Sequence, residues 1–181
     1  WLLWPNLKDQ LFQNRTIPEK FDRFCSFVVS NPNNFMRNGF YNLMNNPPKT
    51  GISVRPFDKI YSYGRYMNNN VELQELSKGK YWRDAKKEFF KKTKHQFALT
   101  FENNSYPYYC TEKLMDGFLA GSIPIYWGDP KINEDWNKDA FINVMKIKND
   151  EVIKLIRNML DYPDKYKEMY EQPTFTIEQK Q

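Results

Sequence analysis

Residues 97–127 read FALTFENNSYPYYCTEKLMDGFLAGSIPIYW, and the order of patterns within them decides the fold. Phe97 to Phe101 is apolar enough for a buried strand, and Glu102 to Cys110 is a polar and aromatic loop. Leu114, Met115, Phe118 and Leu119 then recur at helical spacing behind Thr111, which stands at the N-cap position. Gly121 ends that helix, and Ile123 to Trp127 is a second short apolar strand. A strand, a helix and a strand in this order make a βαβ unit, whose strands are parallel and whose crossover is right-handed.

The same alternation continues outward. Upstream, Phe24 to Ser30 fits a buried strand followed by the turn Asn31-Pro32-Asn33-Asn34. Met36, Phe40, Leu43 and Met44 predict a helix stopped by Pro47-Pro48, before a loop with Gly51 and a strand near Ile60. From Tyr81 to about Lys94, an apolar stripe of Trp82, Ala85, Phe89 and Phe90 opposes Lys86, Lys87, Lys91 and Lys94, which predicts an amphipathic helix. Downstream, Gly128-Asp129-Pro130 is a turn, Phe141 to Val144 a strand, and Asp150 to Leu160 and Pro163 to Tyr170 are helices. The expected fold is therefore α/β, a Rossmann-like parallel sheet with helices on both faces, without internal repeats.

With 181 residues the chain can bury a core without staples. Residues 1–20 are expected to be a linker or remnant preceding a domain over 21–181. Trp1 to Pro18 has no charged and then apolar leader pattern and looks like a cut from a longer chain. No run reaches the roughly 18 apolar residues of a membrane helix. The net charge of +5 favours an anionic ligand, and an aromatic share of 17% suits stacking on sugars or bases. The lysines near residue 90 are accompanied by no RRM, KH or helix-turn-helix signature, which argues against nucleic acid. Cys25, inside an apolar run, reads as a buried hydrophobe, and neither Cys25 nor Cys110 has metal-ligand spacing. His95, the single histidine, closes a lysine-rich segment and reads as a surface or helix-end residue with no triad partners.

Ligands of open parallel sheets bind where the strands end, so the loops after the strands are where chemistry is expected. The first such segment places Arg37 in the opening turn of a helix. A cation there is locally unfavourable, which points to an anion such as phosphate held by both the helix end and the guanidinium. A surface Arg paired with a nearby acid is the plainer alternative. The second segment enters its helix through Thr111, Glu112 and Lys113. Free backbone N–H groups and the Lys113 ammonium could receive a diphosphate, and Glu112 could bind hydroxyls or stabilise positive charge. An ordinary capped helix is the alternative here. Neither GxGxxG nor GxxxxGK occurs.

Residues 101–128, FENNSYPYYCTEKLMDGFLAGSIPIYWG, with Asp129-Pro130 and the downstream Asp139-Ala140-Phe141-Ile142-Asn143, resemble the donor-binding signature of the α1,3/α1,4-fucosyltransferases, glycosyltransferase family ten. Phe27-Val28-Val29-Ser30-Asn31-Pro32 with Arg37-Asn38 resembles that family's other donor segment. Tyr63-Gly64-Arg65-Tyr66 with Asn68-Asn69 resembles its connecting motif. Together these cover most of the chain, from about Phe24 to Tyr170. The resemblance implies a GT-B enzyme that transfers L-fucose from GDP-fucose with inversion to a hydroxyl of an N-acetylglucosamine-containing glycan. This chain would be its C-terminal, donor-binding half. Carried over by position, Arg37 and Lys113 would hold the diphosphate, Asn103 and Tyr109 would line the nucleotide pocket, and Glu112 would contact the fucose. The general base and the acceptor site would belong to an N-terminal domain. Asp129 departs from the Ser or Ala frequent in the family. Arg37 and Lys113 could neutralise a leaving diphosphate without a metal, and no Asp-x-Asp motif is present, so no metal or other cofactor is expected. A GDP-sugar-binding module without activity of its own is the rival reading. Location would follow the whole protein, cytoplasmic for a bacterial or viral enzyme and Golgi where an anchor precedes.

Overall fold

The computed structural model describes residues 7–46 and 57–180. Among them β1 (Arg23–Phe27), β2 (Ile60–Ser62), β3 (His95–Leu99), β4 (Ile123–Tyr126) and β5 (Ile142–Asn143) form one sheet in the order β2-β1-β3-β4-β5. Every pairing is parallel, as the βαβ pattern requires.

Strand periodicity divides the core into two faces. Cys25, Phe27, Phe97, Leu99, Ile123 and Ile125, apolar and all but Cys25 large, pack with α2 (Phe35–Asn45), α7 (Asn149–Asp161) and α8 (Pro163–Tyr170). Their alternates, Ser26, Ala98 and Pro124, are small and lie in register on neighbouring strands. Against them α5 (Glu112–Leu119) comes close: a Cβ on Gly117 would sit 2.8 Å from Thr100 Cγ2 and 3.2 Å from Pro124 Cγ. Beside it, α4 (Trp82–Lys92) buries Ala85, Phe89 and Phe90. The expected fold class is present, helices on both faces included.

The differences from the sequence reading are local. Strands end earlier than their apolar runs: beyond Phe27 the partner of Val29 O is Tyr66 N (3.0 Å), in a loop that has left the ladder. Helices α1 (Leu7–Phe12), α3 (Glu72–Ser77) and α6 (Ile132–Asp135) have too few turns to show a period. Leu11 of α1 is nevertheless buried in the cluster of Leu114, Phe118 and Trp136, and Arg15 donates to Ser122 O at 2.7 Å. Pro47 and Pro48, expected to end α2, and Gly51, expected in the loop after it, lie outside the described residues. Cys25 is buried as expected. His95 is not a surface residue: it opens β3 opposite Arg23 and is fully buried, because the lysine-bearing helix α4 has ended at Lys92 and the chain enters the sheet at His95.

Candidate active site

The strand order reverses between β1 and β3: the chain goes from β1 outward to β2, then returns across β1 to β3. Open α/β sheets hold ligands at such a point, beyond the carboxyl ends of the two strands. The loops leaving β1 and β3 are the two segments singled out from the sequence, and hydrogen bonds stitch them together. Asn34 caps α2 by accepting from Arg37 N (2.9 Å), and its Nδ2 donates to Glu102 O (2.8 Å) and Asn103 O (3.0 Å). Arg37, only 1% exposed, donates from Nη1 to Asn103 Oδ1 at 2.8 Å and from Nη2 to Asn31 O. Its Nε is buried without a partner. Burial pulls this guanidinium below its ordinary value, opposed by Tyr66 and Glu102. The alternative of a surface Arg paired with an acid is therefore corrected: the β1–α2 loop folds back over the start of α2, and the side chain turns inward onto amide and carbonyl oxygens.

The β3 loop has its own organiser, which the sequence reading quoted without a role. Glu102 is fully buried and accepts from Thr111 N (2.8 Å), Thr111 Oγ1 (2.6 Å) and Lys113 Nζ (3.0 Å). Thr111 stands at the N-cap position of α5, but its hydroxyl serves Glu102 rather than the helix. Gly128 makes the space, since a Cβ there would lie 2.5 Å from Glu102 Cγ. Lys113 also donates to Thr111 Oγ1 at 2.8 Å and stands 3.6 Å from Glu112 Oε1. Burial pushes the Glu112 carboxyl up, but Lys113, its own backbone N–H and Lys86 outweigh it and hold the group below the usual carboxylate range. Arg37 and Lys113 are thus tied to consecutive residues, Asn103 and Glu102, while the half-exposed Glu112 stands at the start of α5.

Asp129 has a place as well. Fully buried, it accepts from Tyr108 N (2.9 Å) and Lys131 N (2.8 Å), and its own N–H donates to Tyr126 Oη (3.0 Å). Tyr108 is left-handed at φ 64, a conformation costly for a bulky residue, and Asp129 holds it there. One residue on, half-buried Tyr109 packs its ring 4.6 Å from Tyr106. The rim is completed by Gly64, where a Cβ would fall 1.8 Å from Val29 O, so only glycine lets Tyr66 approach β1. The signals that could have found these supports are the glycines, at 64 and 128, each beside a residue that needs the room. Among the described residues no group of three His, Cys, Asp or Glu side chains could hold a metal ion, and no helix is long and apolar enough to cross a membrane.

Residues 23–179, which span the whole sheet and both loops, match the family model described as glycosyltransferase family 10 (fucosyltransferase), C-terminal. The chain belongs to glycosyltransferase family 10. The family 10 chain is 35% identical over 159 residues to the alpha-(1,3)-fucosyltransferase FucT of Helicobacter pylori, covering 87% of this chain and 29% of that protein. It is 30% identical over 131 residues to the human 4-galactosyl-N-acetylglucosaminide 3-alpha-L-fucosyltransferase 9, covering 71% of this chain and 30% of that enzyme. A crystal structure of an alpha1,3-fucosyltransferase with GDP-fucose superposes with a TM-score of 0.65 at 32% identity, over 84% of this chain and 39% of that one. A structure of an alpha1,3-fucosyltransferase with GDP gives the same values. The family 10 chain therefore spans roughly a third of the length of these relatives.

Proposed function

We propose that this chain is the donor-binding half of a GT-B α1,3/α1,4-fucosyltransferase, with the donor domain over residues 21–181. It would act in an inverting transfer of L-fucose from GDP-fucose to a hydroxyl of an N-acetylglucosamine-containing glycan. The buried guanidinium of Arg37, fixed on Asn103 at the switch point of the sheet with its Nε–H left without a partner, carries the reading. Such a group is desolvated and oriented in advance, so a diphosphate meets it without reorganisation. Lys113 supplies the second positive charge, and the first N–H groups of α5 add theirs. Asn103 and Tyr109 line the nucleotide pocket.

As the bond between the sugar and the diphosphate breaks, negative charge gathers on the leaving phosphate, where Arg37 and Lys113 stabilise it. Positive charge gathers on the fucose ring, where the Glu112 carboxylate stabilises it, ionised throughout the neutral range. The base that takes the acceptor proton comes from a preceding domain, which also holds the acceptor. Calorimetry of this chain with GDP and GDP-fucose is the test. Heat of binding and a thermal shift are expected, because a ligand in excess of its dissociation constant stabilises the native state. A folded chain that shows neither with millimolar GDP is not a donor domain.

A further inference from the structure

In the loop after β3, Tyr106-Pro107-Tyr108-Tyr109 is a turn closed by Tyr109 N–H on Tyr106 O at 3.2 Å. Proline stands second, and the third residue, Tyr108, has φ 64. That is the pattern of a type II turn, whose third position ordinarily takes glycine or asparagine because the backbone there is left-handed. The type I alternative accepts most residues at its third position, and it differs chiefly by turning over the peptide between the second and third residues. The N–H of that peptide belongs to Tyr108, and it is the group that Asp129 Oδ1 accepts at 2.9 Å. Asp129 is fully buried, and its Oδ2 has no partner, so the carboxylate works through Oδ1 alone. Its bond to Lys131 N is local, an Asx turn that leads into α6. Its bond to Tyr108 N reaches across 21 residues and selects one of the two turns.

We propose that Asp129 is a positioning residue for the nucleotide: by holding the Pro107–Tyr108 peptide in one orientation, it keeps Tyr109 preset for the nucleoside part of the donor. The inference rests on the donor-site reading above, in which Tyr109 lines the nucleotide pocket. Tyr109 is steadied on both sides. Before it, Tyr108 is latched to Asp129; after it, Cys110 packs against the cluster that holds Tyr126, whose Oη accepts from Asp129 N. The turn also brings the Tyr109 ring to 4.6 Å from that of Tyr106. A loop free to turn the peptide over must be ordered when the ligand binds, and that ordering costs affinity. The loss falls on the nucleoside and spares the diphosphate, because Arg37 and Lys113 are anchored elsewhere, on Asn103 and Glu102.

The test is calorimetric titration of this chain and its variants with GDP and with inorganic pyrophosphate. Asp129→Ala is expected to weaken GDP by about tenfold and pyrophosphate by less than about twofold. Asp129→Asn, which keeps one acceptor oxygen for both N–H groups, is expected to stay within about threefold of the parent for GDP. Tyr108→Gly, at home in left-handed backbone, should bind GDP as the parent does and, added to Asp129→Ala, should restore most of the lost affinity. Tyr108→Val keeps Asp129 but resists a positive φ, so it should reproduce the Asp129→Ala loss. Position 108 is exposed, so the valine and glycine variants decide the matter even where Asp129→Ala fails to fold. GDP affinity untouched by Tyr108→Val, an equal loss of pyrophosphate, a full loss in Asp129→Asn, or no rescue by Tyr108→Gly each overturns the proposal. Equal losses in Tyr108→Gly and Tyr108→Val also overturn it, because the Tyr108 ring would then be the contact. A parent chain that ignores GDP removes the donor reading and this inference with it, whereas a parent that binds GDP beside indifferent variants removes the inference alone.

Discussion

Arg23 and His95 stand opposite each other where β1 and β3 begin, and Arg37 meets Asn103 just beyond where the same two strands end. Both are polar clusters built around an arginine, yet they are finished differently. At the first, Arg23 donates to Tyr63 Oη and to both carboxylate oxygens of Glu72 (2.8 Å each), Tyr63 Oη lies 2.8 Å from His95 Nε2, and His95 Nδ1 lies 3.1 Å from Thr93 O. The rings of Tyr61, Phe89 and Phe90 close around it. At the second, the buried Arg37 Nε has no partner. A network whose donors and acceptors are all engaged rigidifies a fold, whereas one with capacity left over can accept a ligand without breaking itself.

The sharpest way to break this contrast is to lose the same group from each end. Arg37→Ala is expected to reduce GDP affinity by two to three orders of magnitude, about 3–4 kcal/mol, as a bidentate charge-assisted contact disappears. Arg37→Lys, which keeps the charge but not the fork, should fold and still lose most of that affinity. Arg23→Lys should lower the unfolding midpoint and leave GDP binding alone. If calorimetry finds Arg37→Lys within twofold of the parent, the open cluster is not a phosphate site and the contrast fails.

The closed cluster makes its own prediction, in pH. Burial, with Arg23 adding to it and the Thr93 carbonyl, Asp22 and Glu72 opposing, holds the His95 imidazole down at about 4, so the native state keeps it neutral. The unfolded chain takes up the proton near 6.5, and between those values the unfolded state binds more protons than the native one. Stability is therefore complete above about pH 6.5 and declines as pH falls towards 4, by up to roughly 3 kcal/mol. Urea unfolding at pH 7 and pH 5 should show the loss, and His95→Gln should flatten it. A slope unchanged in that variant would assign the acid sensitivity to other groups.

These two clusters also mark what the sequence could reveal. The strand-end loops were legible, because turn residues after apolar runs and a cation in a helix's first turn are local signals, and Arg37, Lys113 and Glu112 follow from them. The partners were not. Asn34 reaches Glu102 and Asn103 across nearly seventy residues, and His95 meets Tyr63 across thirty-two, so neither pairing has a period or a spacing to announce it. Glu102 in particular looks like any loop carboxylate until Gly128 and Thr111 close over it.

Glu102 leads to a smaller effect at the open end. Lys113→Ala should weaken GDP and GDP-fucose alike, by about tenfold, since one shared charge contact of about 1.5 kcal/mol is lost. The same substitution leaves Glu102 short of a donor, so a stability loss of about 1–3 kcal/mol should accompany it. Glu102→Gln should restore part of that stability in the Lys113→Ala background without restoring affinity, which separates the support from the contact. Restored GDP binding in the double variant would mean that Lys113 acts only through Glu102.

The smallest and most selective effect is expected at Glu112. Its half-exposed carboxylate stands at the start of α5 beside Lys113, where it can accept hydrogen bonds from hydroxyls of a sugar carried by the diphosphate. Glu112→Gln keeps an acceptor of the same length and removes the charge, so the difference between charged and neutral hydrogen bonds is lost, about 1 kcal/mol, or roughly fivefold. That loss should fall on GDP-fucose and spare GDP. Because the carboxyl titrates below the ordinary range, the parent chain's preference for the sugar nucleotide should be flat from pH 8 to pH 5 and fade only in more acid solution. If the carboxylate merely complements the helix end, Glu112→Gln would instead cost about 0.3–1 kcal/mol of stability and leave both ligands bound in the same ratio. In the full-length enzyme the charge should count for more in turnover than in binding, because positive character on the ring peaks in the transition state. A fall in kcat at saturating donor that exceeds the fall in GDP-fucose affinity is therefore the expected signature, and equal falls would reduce Glu112 to a ground-state contact.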